Sequence, residues 1–304
     1  MTQYHTPALL HESIDGLKIN PEGIYVDITF GGGGHSREIV NHLTTGKLIA
    51  FDQDSDALLN KIEDNRFLLC HGNFRFLKNY LKYNGVTNID GLLGDLGVSS
   101  HHFDTVERGF TFHDNSPLDM RMNPNGGITA REILNTYDEV KLRKLFREYG
   151  EVDNAFKLAA AIVSRRSTSS FASSNDFMEA IHFCIPRGAE NKYMAKVYQA
   201  LRIEVNHELE SLKDMLLHCT EMIKPGGRLV IITYHSLEDR IVKNFVKSGN
   251  FEGKVEKDFY GNQIAPFKAI NNRVIIPSEE ETYYNSRARS AKLRVAERDA
   301  NNKK

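Results

Sequence analysis

The sequence predicts an α/β protein, in which a mostly parallel, Rossmann-like sheet is interrupted by an inserted all-helical subdomain. Short apolar runs alternate with segments of helical spacing in the first hundred residues, which is typical of βαβ units. A strand pattern resumes at 228–234, whereas residues 104–206 show helical periodicity and no strand pattern. We therefore expect one domain formed by residues 1–103 and 207–304, with 104–206 inserted as a substrate-binding subdomain.

Each strand is predicted from its apolar spacing. The first four are expected at 24–30, 47–52, 67–71 and 91–96. Helical spacing at 36–43 and 55–62 separates the early strands. The sequence Pro225-Gly226-Gly227 ends a later helix and precedes the fifth strand. The stretches 272–276 and 291–296 are expected to add an antiparallel pair.

The helices of the insertion are predicted from caps and periodicity. Thr136-x-x-Glu139 matches a capping box and predicts the start of a helix that ends at Gly150. Helical patterns at 152–166 and 192–204 follow, and the polar segment 167–174 is expected to connect two helices.

The composition is that of an ordinary folded protein. The 304 residues are 40% hydrophobic and 26% charged, which argues against disorder, collagen or a coiled coil as the main architecture. The net charge of −1 gives no overall attraction to nucleic acid, although seven bases against two acids follow Tyr283. No signal-peptide pattern and no run of about 18 apolar residues occurs. We expect a cytoplasmic protein with no membrane association.

Cysteines and histidines do not predict a metal site. The three cysteines form no C-x-x-C pair, which argues against a disulfide framework and a cysteine zinc site. His101 and His102 are adjacent and lack metal-ligand spacing with a nearby acid or cysteine. We therefore expect no metal ligands.

The densest chemical signal is a glycine-rich loop after the first strand. Gly31-Gly32-Gly33-Gly34-His35 lies where a doubly wound sheet binds a nucleotide. Glycines let the backbone approach a ligand closely and direct the amides of a helix N-terminus at it. The loop lacks the lysine of a Walker motif, and Ser36 occupies the third glycine position of a dinucleotide fingerprint.

Residues at other strand ends narrow the choice of nucleotide. Asp52 ends the second strand and suits the ribose hydroxyls of either NAD or S-adenosylmethionine. Phe74 follows the third strand and suits an adenine edge, while Asp95 ends the fourth, where the transferred methyl group would lie. This arrangement favours a class I S-adenosylmethionine methyltransferase over a dehydrogenase.

Seven blocks, in order, resemble one family closely. The chain is similar to the bacterial small-subunit ribosomal RNA (cytosine-N4)-methyltransferase H family from residue 4 to about 298. The blocks are Tyr4-His-Thr-Pro-Ala-Leu-Leu-His-Glu12, Phe30-Gly-Gly-Gly-Gly-His-Ser36, Asp95-Leu-Gly-Val-Ser-Ser100, Glu107-Arg-Gly-Phe-Thr-Phe112, Pro117-Leu-Asp-Met-Arg-Met122, Tyr234-His-Ser-Leu-Glu-Asp-Arg240 and Arg287-Ala-Arg-Ser-Ala-Lys-Leu-Arg294.

The resemblance implies a function and a set of site residues. The implied reaction is S-adenosylmethionine-dependent methylation of the exocyclic N4 of a cytidine in 16S rRNA, within the small ribosomal subunit or a late assembly intermediate. The implied cofactor contacts are Gly33, Gly34, His35, Asp52, Phe74, Asp95 and His102, the last standing where the family usually has glutamine. Asp95 and His235 are the candidates for catalysis, and Asp95 is the expected acceptor for the N4 hydrogens. Both a monomer and a homodimer are compatible with the sequence.

Two rival functions stay open at this point. A NAD-dependent oxidoreductase is disfavoured by Ser36 and by the lack of a plausible acid–base motif for hydride transfer. A non-catalytic RNA-binding factor with a vestigial pocket is the other. With an RNA substrate, the bases of the insertion are expected to contact the RNA rather than the cofactor; they are Arg143, Lys144, Arg147, Arg165 and Arg166.

Overall fold

Seven strands form one mixed sheet in the computed structural model, which describes residues 7–261, 263–271 and 273–300. The strands are β1 (Ile24–Asp27), β2 (Lys47–Asp52), β3 (Phe67–His71), β4 (Ile89–Asp95), β5 (Ile223–Thr233), β6 (Phe267–Ala269) and β7 (Lys292–Arg298). Their order across the sheet is β3-β2-β1-β4-β5-β7-β6. The first five are parallel, and β7 and β6 are antiparallel additions at one edge.

The strand order places a crevice above β1 and β4. The chain runs outward from β1 through β2 to β3, then returns to β4 on the other side of β1. Ligands of open α/β sheets bind at this reversal, outside the carboxyl ends of the strands. The apolar runs of β2 and β4 are buried almost throughout, as expected for strands covered on both faces.

The sequence located most strands correctly and missed one. The ranges 47–52 and 67–71 coincide with β2 and β3, whereas the expected strand at 272–276 is wrong. β6 pairs with β7 instead, and Ile275 makes only an isolated bridge to Leu293. Asn272 itself lies outside the described residues.

The fifth strand begins earlier than its apolar run. β5 already pairs with β4 at Ile223, and the next partner along it is Arg228. The intervening Pro225-Gly226-Gly227 therefore bulges from the strand, and the φ angle of Gly226 is +81°. The sequence analysis predicted that the strand begins only after this motif.

The described residues form two compact units. The first contains those up to Gly97 and those from Leu209 onward, and the second runs from Val98 to Glu208. The insertion was predicted at 104–206. The second unit takes in earlier residues because Val98 packs against its apolar core.

Helices flank the sheet of the first unit. They are α1 (Leu10–Leu17), α2 (Gly34–His42), α3 (Leu77–Tyr83), α10 (Glu208–Met222), α11 (Ser236–Ser248) and α12 (Glu279–Tyr284), with 3₁₀ turns at Ser55–Asn60, Phe74–Phe76 and Ser286–Ser290. The segment 55–62, expected as a helix, is therefore a 3₁₀ turn. The side chain of Asp54 accepts a hydrogen bond from the backbone N–H of Asp56 at its start.

The second unit is helical and has its own core. Its helices are α4 (Ser100–Asp104), α5 (Ala130–Thr136), α6 (Glu139–Glu148), α7 (Ala155–Arg166), α8 (Ser174–Ile181) and α9 (Glu190–Asn206). Buried rings such as Phe146, Phe171 and Phe177 fill the core. In the described part of the chain, no helix is long and apolar enough to cross a membrane.

One predicted helix cap is wrong. Thr136 ends α5, and its hydroxyl donates to the carbonyl of Glu132. α6 is instead capped by Asp138, whose carboxylate accepts from the backbone N–H of Lys141 at 2.8 Å. The capping box of this region belongs to Thr129 and Glu132, one helix earlier.

Candidate active site

The glycine loop follows β1 and leads into α2. Gly33 precedes the helix with φ +77°, and Gly31 has φ +50°. A Cβ on Gly33 would lie 2.9 Å from the ring of Phe30, and one on Gly34 would lie 2.2 Å from Pro7. Both positions therefore need glycine, because a side chain would collide with Phe30 or Pro7.

Asp52 joins the end of β2 to this loop. Its carboxylate accepts from the backbone N–H of Gly31 at 2.7 Å and from that of Asp54 at 2.9 Å. The side chain is partly exposed. The structure thus places a carboxylate at the edge of the glycine loop, as the sequence predicted.

Sequence reasoning missed Asp27 as a site residue. It ends β1 and is 1% exposed. Its carboxylate accepts from the hydroxyl of Ser36 at 2.6 Å and from the backbone N–H of Thr29 at 3.0 Å. Burial raises its pKa to about 6 despite these hydrogen bonds. An acid directly before a glycine loop was the signal that could have identified it.

Asp95 stands at the end of β4, next to the loop after β1. Its backbone N–H donates to the hydroxyl of Thr29 at 2.7 Å, and the hydroxyl of Tyr234 donates to its carboxylate at 2.8 Å. Burial, together with the nearby charges of Asp27 and Glu238, raises the pKa of Asp95 to about 7, against the lowering effect of the hydrogen bond from Tyr234. The carboxyl group is therefore balanced between its two protonation states near neutral pH.

Tyr234 is the second residue that sequence reasoning undervalued, since it was named there only as the first residue of a family block. Burial raises its pKa above the ordinary value, and the adjacent Asp95 carboxylate adds to this effect. The phenol consequently remains a hydrogen-bond donor at neutral pH. The order β4-β5 explains the contact, because Asp95 and Tyr234 follow neighbouring parallel strands.

His235 lies beside Tyr234 but its ring turns toward its own helix. It is the N-cap of α11, and its Nε2 lies 3.1 Å from the carboxylate of Glu238. Glu238 is 2% exposed and also accepts from the backbone N–H of Tyr234 at 3.0 Å. Ser236, a residue type that often caps helices, is instead the first residue of α11.

The ring of His35 holds the chain segment before α1. Its Nε2 lies 3.1 Å from the carbonyl oxygen of Ala8, and it is 6% exposed. Burial lowers the pKa of His35 to about 4, so the imidazole is neutral at pH 7. The ring of His35 therefore contacts the backbone of Ala8, and only the backbone of His35 lies beside the glycine loop.

The two remaining predicted cofactor contacts, Phe74 and His102, belong to different units. Phe74 starts the 3₁₀ turn after β3 and is partly exposed in the first unit. His102 belongs to the second unit, where its Nδ1 lies 3.0 Å from the hydroxyl of Ser99 in the capping box of α4. The ring of His102 also packs against Phe110 at 4.7 Å.

The predicted basic residues separate into exposed and structural groups. Arg143, Lys144 and Arg147 are exposed on α6. In contrast, Arg165 donates to the carbonyl of Ser169, and Arg166 donates to that of Leu134.

The bases near the C-terminus separate in the same way. Arg294 pairs with Asp239 at 2.7 Å, and Arg298 donates to the carbonyl of Pro266 at 2.7 Å. Arg287 and Arg289 are exposed. The positions 303 and 304 lie outside the described residues.

Comparison with known proteins establishes the family. The profile of the MraW methylase family matches residues 2–299. The chain belongs to the MraW methylase family. It is 56% identical to the ribosomal RNA small subunit methyltransferase H of Phocaeicola vulgatus, over 97% of both chains, and 55% identical to the protein of the same name from Bacteroides thetaiotaomicron, again over 97% of both.

A solved structure provides a further likeness. A putative methyltransferase from Streptococcus mutans, in complex with SAH, has a TM-score of 0.44 and 13% identity, over 97% of this chain and 99% of that one.

This methylase depends on S-adenosylmethionine, and the residues at the strand ends fit that cofactor. Gly31 and Gly33 adopt positive φ angles, so the loop turns directly into the N-terminus of α2. Asp52 offers a partly exposed carboxylate beside that backbone, suited to a ribose diol. Asp95 adds a second carboxylate at the crevice where such sheets bind ligands.

Proposed function

We propose that this protein methylates the exocyclic N4 of a cytidine in 16S rRNA, in the cytoplasm, on the small ribosomal subunit or a late assembly intermediate. The observation that carries the proposal is the near full-length match to proteins named ribosomal RNA small subunit methyltransferase H, at 51–56% identity. The carboxylates collected at the strand ends support it.

The cofactor supplies an electrophilic methyl group on a sulfonium. The chain has to bind this cofactor, position the amine and accept a proton. Gly33, Gly34 and the backbone of His35 form the surface for the cofactor, and Asp52 binds its ribose. Phe74 is a further predicted contact in the first unit, and the contact of His102 stays a prediction.

Asp95 orients the amine. The lone pair of cytosine N4 is delocalised into the ring, so the amine is a weak nucleophile. A carboxylate that accepts a hydrogen bond from N4–H localises the lone pair, and correct orientation supplies much of the rate. Tyr234 fixes this carboxylate from one side, and Thr29 fixes its backbone from the other.

Asp27 and His235 act through their neighbours. Asp27 positions Thr29, which in turn holds Asp95. His235 caps α11 and, through Glu238, fixes the backbone of Tyr234. We therefore expect His235 to position the site rather than to transfer a proton.

The test of the proposal is single-turnover transfer of labelled methyl from S-adenosylmethionine to 30S particles that lack the modification. Wild-type enzyme should label the 16S rRNA, whereas 50S particles should remain unlabelled. The rate should be highest for the wild type, lower for Asp95→Asn and lowest for Asp95→Ala. We expect Asp95→Ala to be at least ~100-fold slower than wild type, since a positioned electrostatic group is lost. No labelling of 30S particles would contradict the function, and a near-normal rate for Asp95→Ala would contradict the role of Asp95.

A further inference from the structure

The end of α12 exposes two adjacent aromatic rings. Tyr283 is 82% exposed and Tyr284 is 79% exposed. The ring centroids lie 5.1 Å apart with an interplanar angle of 88°, so the rings meet edge to face and do not cover each other. This arrangement leaves apolar ring surface open to solvent, which is characteristic of surfaces on which another planar group stacks.

Two arginines follow these tyrosines. Arg287 and Arg289 are exposed on the 3₁₀ turn Ser286–Ser290, which packs against α12. Ala288 between them is 1% exposed and anchors the turn. The buried alanine fixes which side of the turn faces inward, and the two arginines are exposed on the same turn.

The acids of α12 lie at its opposite end. Glu279 and Glu280 occupy the first turn, where negative charge stabilises a helix N-terminus. The segment is therefore acidic at its start and basic at its end.

The same helix contacts the active site. Glu281 accepts from the backbone N–H of Leu9 at 2.7 Å, in the segment whose Ala8 carbonyl meets His35. Its charge also contributes to the raised pKa of Tyr234, whose hydroxyl binds Asp95. The exposed tyrosines therefore lie on a helix that borders the site of methyl transfer.

We propose that Tyr283, Tyr284, Arg287 and Arg289 form an RNA-stacking surface that holds single-stranded nucleotides flanking the target cytidine. Aromatic rings with neighbouring arginines are the usual means of binding single-stranded RNA, because every base has a face that stacks and every nucleotide carries a phosphate. The inference rests on the proposed function, since it assumes that the substrate is RNA.

The aromatic pair is tested by RNA affinity, which does not require methyl transfer. The double variant Tyr283→Ala/Tyr284→Ala should bind stripped 16S rRNA and a cytidylate dodecamer about tenfold or more weakly, because stacking on a ring is worth on the order of tenfold in affinity. Phenylalanine at both positions should restore binding. The matched control is Phe259→Ala/Tyr260→Ala, an edge-to-face pair that is 98% and 85% exposed. This control should bind like wild type.

The arginines are tested by salt dependence. Arg287→Gln/Arg289→Gln should lower the slope of log affinity against log salt by about 1–1.5, since each phosphate contact with a single strand contributes roughly 0.7. The exposed lysines Lys82 and Lys247 serve as the control when both are changed to Gln. The affinity for S-adenosylmethionine, measured by calorimetry, should be unchanged in all variants. This control shows that each variant is correctly folded.

The outcomes separate this inference from the function itself. Unchanged RNA affinity of the tyrosine variant, or equal losses in the Phe259/Tyr260 control, would overturn the RNA-stacking surface. An altered oligomeric state without a loss of RNA affinity would also overturn it, in favour of a protein contact. Failure of the wild-type enzyme to methylate 30S particles would instead contradict the proposed function.

Discussion

The hydrogen bond between Tyr234 and Asp95 should set the pH dependence of this enzyme. The pKa of Asp95 is raised to about 7, mainly by burial, and the hydrogen bond from the Tyr234 hydroxyl opposes this by lowering the pKa. A hydrogen bond to a charged group is worth about 1.5–3 kcal/mol, and 1.36 kcal/mol corresponds to one pH unit. Tyr234→Phe should therefore move the ionisation of Asp95 about 1–2 pH units in the alkaline direction.

The change in rate follows from the fraction of ionised Asp95. Wild-type enzyme is about half ionised at pH 7, so the variant should be about 5–50-fold slower there and should recover at higher pH. The assay is kcat/KM for S-adenosylmethionine across about pH 5.5–9.5 at saturating 30S particles, since this parameter reports groups of the cofactor-free enzyme.

The control removes a different tyrosine hydroxyl. Tyr80 donates to the carbonyl of His71 at 2.9 Å, in the same unit but away from Asp95. Tyr80→Phe should keep the wild-type pH profile. If Tyr234→Phe lowers the rate equally at every pH, or leaves the profile in place, Asp95 does not act as an ionised acceptor controlled by Tyr234.

Three further outcomes are expected. Asp52→Ala should weaken S-adenosylmethionine binding about 10–150-fold by calorimetry, because a charge-assisted hydrogen bond to the ribose is lost; an unchanged Kd would contradict that contact. Burial raises the pKa of Asp27 to about 6 in the folded protein, so its contribution to stability is full below the unfolded pKa and falls by up to about 3 kcal/mol as pH rises through 6. The free energy of unfolding in urea should therefore fall less between pH 4 and 7 for Asp27→Asn than for wild type, and parallel curves would refute this. Changing Arg143, Lys144 and Arg147 to Gln should flatten the salt dependence of RNA binding without changing cofactor affinity; equal slopes would argue against an RNA role for α6.

The fold was largely predictable because its parallel strands are continuous apolar runs. β2 and β3 were located to the residue, since each run is bounded by polar or turn residues. β6 was missed because it is only three residues long and two of its residues are exposed. Such a strand is defined by its pairing with β7 rather than by its own sequence.

The site was predictable where chemistry follows a strand end. Asp52 and Asp95 were identified in this way, and the structure places both beside the loop after β1. Tyr234 was undervalued because its role depends on a hydrogen bond to Asp95, which is 139 residues away in the chain. Asp27 was missed although its partners Thr29 and Ser36 are close in sequence, because its burial is not visible in the sequence. The predicted roles of His35 and His235 stay predictions, and their rings contact the carbonyl of Ala8 and the carboxylate of Glu238.

The methyl group should be placed on the exocyclic N4 of a cytidine in 16S rRNA. Mass spectrometry of nucleosides identifies its position directly, with unmodified 30S particles treated with this enzyme and methyl-labelled S-adenosylmethionine. We expect labelled N4-methylcytidine with the wild type, and far less of it with Asp95→Ala under the same single-turnover conditions. Label found in 5-methylcytidine, in a ribose methyl group or in another base would contradict it.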